Sequence, residues 1–276
     1  MQAAITCEIS ANRKVAKDTY LLKLAGDETT LTMPGQFVNL KIPGLFLRRP
    51  ISVCDTRPGQ IVLLYKTVGA GTRALAQLEP GEKLEVLSGL GRGFKVPADS
   101  KLRPVLVGGG IGIAPLLGLA RHLTQHGITP QAVFGFRSAA EIALVTEMAE
   151  LGVNVRVATE DGSAGTAGFV TQLLHDLLTG EDEGAGLLAG KDEGTPAAAN
   201  DFCPTPNCPP PNYLYACGPM PMMKALYRLS LPGQFSLEER MGCGIGACMG
   251  CVHPTQNGLQ RVCKEGPVFT REELAW

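Results

Sequence analysis

The sequence predicts a multi-domain chain of α/β plus β class: an N-terminal antiparallel β-barrel, a central parallel α/β sheet and a small C-terminal module. Short apolar segments punctuated by Pro-Gly pairs occupy the first hundred or so residues, the pattern of a small barrel. From Arg103 onward, strand-length and helix-length apolar patterns alternate, which means βαβ units. Four of the nine cysteines then gather in 234–276.

In the first section, strands are expected at 21–24, 37–42, 51–54, 61–65 and 84–87, with turns at Pro34-Gly35, Pro43-Gly44, Pro58-Gly59 and Pro80-Gly81. In the second, strands are expected at 104–107, 132–136, 153–158 and 213–216, and helices at 114–126, 139–151, 168–178 and 219–229. The domain bounds that follow are 1–101, 102–233 and 234–276. Within the middle domain, 180–211 carries five Gly, six Pro, six acidic residues and one Lys; that composition cannot bury a core and reads as a flexible insertion.

The bulk properties exclude several classes. A chain of 276 residues has room for two domains and a small third, at roughly 100–200 residues per domain. A 45% hydrophobic content rules out a wholly disordered chain. With 25 Lys+Arg against 26 Asp+Glu there is no basic stripe for nucleic acid and no attraction to an anionic membrane. The run 104–120 is broken by five Gly and Pro115, short of the ~20 apolar residues that a membrane span needs. Glu8, Arg13 and Lys14 interrupt any secretory leader at 1–17, so a reducing, cytoplasmic setting is expected, where clustered thiols bind metal more often than they pair.

Cys243, Cys248, Cys251 and Cys263 have the spacing C-x4-C-x2-C-x11-C. This is the plant-type [2Fe–2S] arrangement, three thiolates from one tight loop and a fourth from a later strand. Gly242, Gly244, Gly246 and Gly250 alternate with the ligands and let the backbone wrap them. Asn257-Gly258 signals a type I′ hairpin that would return Cys263 beside Val252, next to Cys251. Zinc remains an alternative, although only Cys248 and Cys251 have knuckle spacing, and a redox dithiol would leave Cys243 and Cys263 idle. Cys7 and Cys54 read as core fillers, and Cys203 and Cys208 as unligated surface thiols.

Two nucleotide sites are also expected. Arg49-Pro50-Ile51-Ser52, with Arg48 before it, and Tyr65-Lys66-Thr67-Val68-Gly69-Ala70-Gly71-Thr72 together offer a guanidinium for pyrophosphate, a hydroxyl for an isoalloxazine edge and bare loop amides. In the second section, Gly108-Gly109-Gly110-Ile111-Gly112-Ile113-Ala114-Pro115 runs from a strand into a helix, where a pyrophosphate meets helix N-terminal amides. Pro115 stands where a third Gly would complete G-x-G-x-x-G, so the full fingerprint fails. Cys217-Gly218-Pro219 ends the last strand at the same edge, with Cys217 either an inert core thiol or a pocket-lining residue. The four histidines, His122, His126, His175 and His253, are read as surface or packing residues, and no acid–base catalytic residue is expected.

In this order the motifs resemble the ferredoxin-NADP reductase superfamily. With the cysteine module appended, the chain resembles the electron-transfer subunits of NAD-dependent (B-type) dihydroorotate dehydrogenases over nearly its whole length; RRPIS, YKTVGAGT, GGGIGIAPL, TEDGSAGTAGFVTQLL and YACGPMPMMKAL carry the likeness, and 180–211 falls outside it. The resemblance implies FAD, one [2Fe–2S] cluster, NAD, and an FMN-containing catalytic partner in a 2+2 heterotetramer that oxidises dihydroorotate in pyrimidine (UMP) biosynthesis. It assigns the flavin phosphate and ring to Arg49, Pro50, Ile51 and Ser52, its adenosine or ribityl side to Leu64, Tyr65 and Lys66, and its pyrophosphate to Gly71 and Thr72. The pyridine nucleotide falls to Gly109, Gly110, Gly112, Glu160, Asp161, Cys217, Gly218 and Pro219. An acid at Glu160, where NADP-using relatives tend to have Arg, favours the free 2′-hydroxyl of NAD, while Arg137 pulls the other way. The same motifs would serve a diaphorase subunit of a hydrogenase or of a ferredoxin-linked bifurcating complex.

Overall fold

The computed structural model describes residues 2–99, 101–179 and 210–276. The expected insertion at 180–211, apart from Pro210 and Pro211, lies outside the described residues, as do Cys203 and Cys208. The chain divides into two compact units, Met1–Lys95 with Ala114–Leu119 and Gln234–Trp276, and Val96–Ile113 with Ala120–Gly233.

In the first unit, β1 (Ala3–Ala16), β2 (Thr19–Ala25), β3 (Phe37–Lys41), β4 (Arg49–Arg57), β5 (Gln60–Lys66) and β6 (Lys83–Leu90) close into an antiparallel barrel of order β1-β2-β5-β4-β3-β6. A short helix, α1 (Ala70–Leu75), links β5 to β6. Alternation places Leu84, Val86 and Leu90 of β6 inside, where the core gathers Cys7, Ile9, Leu22, Leu24, Val38, Leu40, Leu63 and Tyr65. Each such side chain contributes about 1.5–3 kcal/mol through burial. Cys7 and Cys54 are fully buried fillers, as expected. The predicted Pro58-Gly59 turn is the β4–β5 hairpin tip: Arg57 pairs with Gln60, and Gly59 takes φ +71°. The first strand, β1, has no counterpart among the expected strands; Glu8, Arg13 and Lys14 interrupt its apolar pattern and two bulges shift its register.

In the second unit, β7 (Pro104–Gly109) passes through a 3-10 turn (Gly110–Ile113) into α2 (Ala114–Gln125), whose first half, Ala114–Leu119, groups with the first unit. Then follow β8 (Gln131–Phe136), a single turn at Ala139–Glu141, α3 (Val145–Ala149), β9 (Val155–Thr159), β10 (Thr166–Ala167), α4 (Val170–Thr179), β11 (Tyr213–Cys217) and α5 (Met220–Tyr227). The strands run parallel in the order β10-β9-β8-β7-β11. The helix expected over 139–151 is broken in two because Leu144 sits at φ +61°, a left-handed residue that no helix continues through.

The carboxyl-terminal section returns to the first unit. β12 (Gly233–Ser236) is followed by the cysteine loop, by the hairpin of β13 (Val252–Thr255) and β14 (Gly258–Arg261), and by β15 (Val268–Thr270), which pairs antiparallel with β12. It is stitched to the end of the barrel strand system: Gln234 and Lys95 exchange two hydrogen bonds of 2.8 and 2.6 Å, and Arg92 N–H donates to the Gly266 carbonyl. Among the described residues, no helix is long and apolar enough to cross a membrane.

Candidate functional site

The four cysteines of the spaced motif come together as two pairs. Cys243 and Cys248 are hydrogen-bonded through their thiols, and so are Cys251 and Cys263. Cys243 is half-buried and Cys248 exposed, whereas Cys251 and Cys263 are 3% and 1% exposed. Burial pushes the Cys263 thiol up to about 12, helped by the neighbouring Cys251. At Cys243 burial acts the same way but is outweighed: amide N–H groups of Ile245, Cys248 and Ala247 and the Cys248 thiol stabilise its thiolate and hold it at about 6. The Ala247 amide lies 3.3 Å from its sulfur. Among the described residues, no three His, Cys, Asp or Glu side chains converge on one point as a mononuclear ion would require. Two thiol pairs ringed by amide donors suit a two-iron core, which takes two thiolates on each iron.

The hairpin does its expected work by a different register. Its tip is Gln256-Asn257, with Thr255 paired to Gly258, and Gly258 carries the positive φ of +87°. Val252 therefore faces Arg261 rather than Cys263. Cys263 reaches Cys251 one step further on, where the Val262 N–H donates to the Cys251 carbonyl at 2.9 Å and the Cys263 N–H to its sulfur at 3.4 Å. Arg261 locks this geometry. It holds Glu265 by a two-pronged ion pair of 2.5 and 3.0 Å and donates to the Gly246 carbonyl at 2.6 Å. Gly246 itself sits at φ +83°, with Lys264 packed where a side chain would be.

On the barrel, the two expected motifs meet. The Arg49 guanidinium lies over Gly71, and a β-carbon there would be 2.7 Å from Cζ. Thr72 turns its hydroxyl back to accept the N–H groups of Val68 and Gly69 at 3.0 and 3.2 Å, which starts α1. Pro50 and Ser52 face Asn39 and Phe37 across the β3–β4 ladder, while Ile51 packs against the core. Tyr65 differs from its neighbours Leu64 and Lys66: its ring belongs to the barrel core and its hydroxyl donates to Asn12 Oδ1 at 2.9 Å, so only its main chain is left for a ligand.

In the parallel sheet, the chain fills β7, β8 and β9 in one direction and then crosses to β11 on the other side of β7. The reversal between β7 and β11 is a topological switch point, where α/β sheets bind ligands beyond the carboxyl ends of their strands. Gly109, Gly110 and Gly112 leave β7 there, and Cys217, Gly218 and Pro219 leave β11 there. The two loops touch: a β-carbon on Gly112 would lie 2.6 Å from the Cys217 carbonyl carbon and 2.7 Å from the Gly218 Cα. Cys217 is 1% exposed. At the ends of β8 and β9, the Glu160 N–H donates to the Phe136 carbonyl and the Asp161 N–H to that of Arg137, so Arg137 and Glu160 stand side by side, both exposed. The Asp161 carboxylate is engaged in its own turn, accepting from Ser163 N–H and Oγ, and this hydroxyl contact lowers its pKa.

Comparison with known proteins decides the family. Residues 238–275 match the model described as the iron-sulfur cluster binding domain of dihydroorotate dehydrogenase B. The protein of Geobacillus kaustophilus named dihydroorotate dehydrogenase B (NAD(+)), electron transfer subunit, is 39% identical over 280 residues, covering 96% of each chain. Its namesake in Fusobacterium nucleatum subsp. nucleatum is 36% identical over 97% of each. The chain belongs to this family. A chain from the structure of an NADH-dependent reduced ferredoxin-NADP oxidoreductase, solved to study flavin-based electron bifurcation, superposes with a TM-score of 0.78 at 27% identity over 98% of this chain and 90% of its own. Phthalate dioxygenase reductase shares the fold at a TM-score of 0.52 and 21% identity, covering 83% of this chain and 64% of its own. The fold class and the family expected from the sequence are borne out. Asn39 and Arg261 lie outside the cysteine and nucleotide motifs of the sequence. The Arg-x3-Glu spacing of Arg261 and Glu265 was a signal for the second; Asn39 is joined to its partner across 204 residues and carried none.

Proposed function

We propose that the chain carries electrons from a catalytic partner subunit to NAD+, so that dihydroorotate oxidised by the partner's FMN yields NADH here, in the cytoplasmic synthesis of pyrimidines. The three sections divide the labour: 1–101 binds FAD, 102–233 binds the pyridine nucleotide and 234–276 holds a [2Fe–2S] cluster. An iron–sulfur cluster exchanges single electrons, a nicotinamide takes a hydride, and a flavin does both, so the flavin stands between the other two.

The chain's own residues bind and orient. Cys243, Cys248, Cys251 and Cys263 would hold the cluster through their thiolates, and amides of the loop would tune the sulfurs. Arg49 neutralises flavin pyrophosphate beside Gly71 and the start of α1, and Pro50, Ile51, Ser52, Leu64, Lys66 and the main chain of Tyr65 line the flavin. Gly109, Gly110 and Gly112 receive the pyrophosphate of NAD at the switch point, Glu160 and Asp161 lie on its ribose side, and Cys217, Gly218 and Pro219 lie near the nicotinamide. Exposed Ile245 and Met249 on the cysteine loop and Leu259 on its hairpin offer the partner an apolar rim, and two chains with two partners make the heterotetramer.

The observation that carries the reading is the pairing of four thiols in one compact unit with the barrel. Purified chain is expected to hold one FAD, two iron and two acid-labile sulfide, to reduce artificial acceptors with NADH, and to oxidise dihydroorotate only after the partner is added. Zinc without sulfide, or dihydroorotate turnover by the chain alone, overturns it. The likeness to the ferredoxin-NADP oxidoreductase chain favours one second reading, a diaphorase subunit of a hydrogenase or bifurcating complex, which co-purification of a different partner would reveal.

A further inference from the structure

Asn39 belongs to none of the motifs above and is 1% exposed. On β3 the neighbouring Val38 and Leu40 point into the barrel core, so Asn39 faces the other way, on the side of its ladder partner Pro50. There its Nδ2 donates to the carbonyl of Cys243 at 3.2 Å. Any side chain at position 244 would take the space of that amide: a β-carbon on Gly244 comes to 2.5 Å from Nδ2. The other half of the amide, Oδ1, is buried with no hydrogen-bond partner. Leucine would fill the position without that penalty, and a local rule broken in this way marks a place where function outweighs packing.

We propose that Asn39 is a positioning residue for electron transfer: its amide fixes the first cluster cysteine against the flavin strand and supplies the hydrogen-bonded bridge between them. The inference rests on the reading that this chain holds both flavin and cluster. The route runs from the strand bearing Arg49 and Ser52, across β3, through the Asn39 side chain to the Cys243 carbonyl, and down that residue to its sulfur. One electron leaves one centre and reaches the other in each event; no bond forms or breaks and Asn39 itself is neither oxidised nor reduced.

The test uses the full chain with its cofactors. Wild-type chain must first show flavin and cluster absorbance and be bleached by NADH; failure there overturns the function proposed above and not the part played by Asn39. Rapid mixing of Asn39→Leu with NADH, with freeze-quenched EPR of the reduced cluster, is expected to leave flavin reduction unchanged and to slow cluster reduction at least tenfold per occupied cluster. A merely structural role would lower cluster content without changing that rate. An unchanged rate per cluster overturns the proposal. If Asn39→Leu retains too little cluster, Asn39→Asp at pH 9, isosteric but without the N–H donor, decides by the same criterion. Independently of turnover, the amides of Gly244 and Ile245 should exchange hydrogen faster in cofactor-free Asn39→Leu than in cofactor-free wild type, and equal protection counts against the bridge.

Discussion

The guanidinium of Arg49 lies across the α-carbon of Gly71, joining two motifs that stand some twenty residues apart in sequence. The relationship separates binding from folding, because the atoms that a new β-carbon would meet are the far end of a long, flexible side chain. Gly71→Ala is therefore expected to leave the melting temperature of cofactor-free chain within a few degrees of wild type, as the arginine swings aside. Its displacement from the pyrophosphate site should weaken FAD by about tenfold, or ~1.4 kcal/mol. Thermal unfolding of cofactor-free protein checks the first half, and titration with FAD followed by flavin fluorescence the second.

Gly112 gives the opposite case. The atoms against it are main chain, the Cys217 carbonyl and the Gly218 Cα, and they cannot rotate away. Gly112→Ala should cost about 1–3 kcal/mol of stability through overpacking. It should also slow NADH-dependent flavin reduction by more than tenfold, with flavin and iron content unchanged. Denaturant unfolding and stopped-flow absorbance read the two effects separately.

Arg261 grips Glu265 with two nitrogens and the Gly246 carbonyl with a third. Removing it as Arg261→Ala forfeits three charge-assisted hydrogen bonds at once. The cluster should then bleach on the order of tenfold faster under an iron chelator. Arg261→Lys should fail to rescue, because an ammonium cannot span a carboxylate and a carbonyl in one planar fork.

Arg137 and Glu160 stand together at the ends of β8 and β9. With the acid replaced, the arginine no longer has a competing charge. Glu160→Arg is expected to shift the ratio of kcat/KM for NADPH over NADH upward by at least tenfold, and no change in that ratio would remove Glu160 from the ribose site.

What could be read from the sequence was encoded locally. Pro-Gly pairs fix their own turns, and the predicted Pro58-Gly59 tip is where β4 meets β5. The cysteine spacing likewise marks thiols that the structure brings together in pairs, because three of them share one loop. What could not be read depends on distant partners or on single residues in unusual conformations. Charged β1 becomes a strand because β2 and β6 pair with both its edges, although its own pattern is broken by bulges. Leu144 interrupts a periodic helix by adopting φ +61°, which no composition rule announces. Asn257-Gly258 gave the hairpin but misplaced its tip, since Gly258 serves as the last residue of the turn rather than its centre. In the nucleotide sites the motifs were legible as segments, but the contact of Gly112 with the β11 loop required the strand order.

The strand order also lets one rim of the sheet set the geometry of the other. β11 begins at Tyr213, which pairs with Pro104 at the amino rim of the sheet. There Arg103, just ahead of β7, clasps the incoming chain: its Nε donates to the Pro210 carbonyl at 2.8 Å and its backbone N–H to Asn212 Oδ1 at 2.8 Å. The glycine loops sit at the far rim. Arg103 and Asn212 thus fix where β11 starts, so its alignment with β7, and with it the approach of the Cys217-Gly218 loop to Gly112, is anchored from the opposite end of the strands.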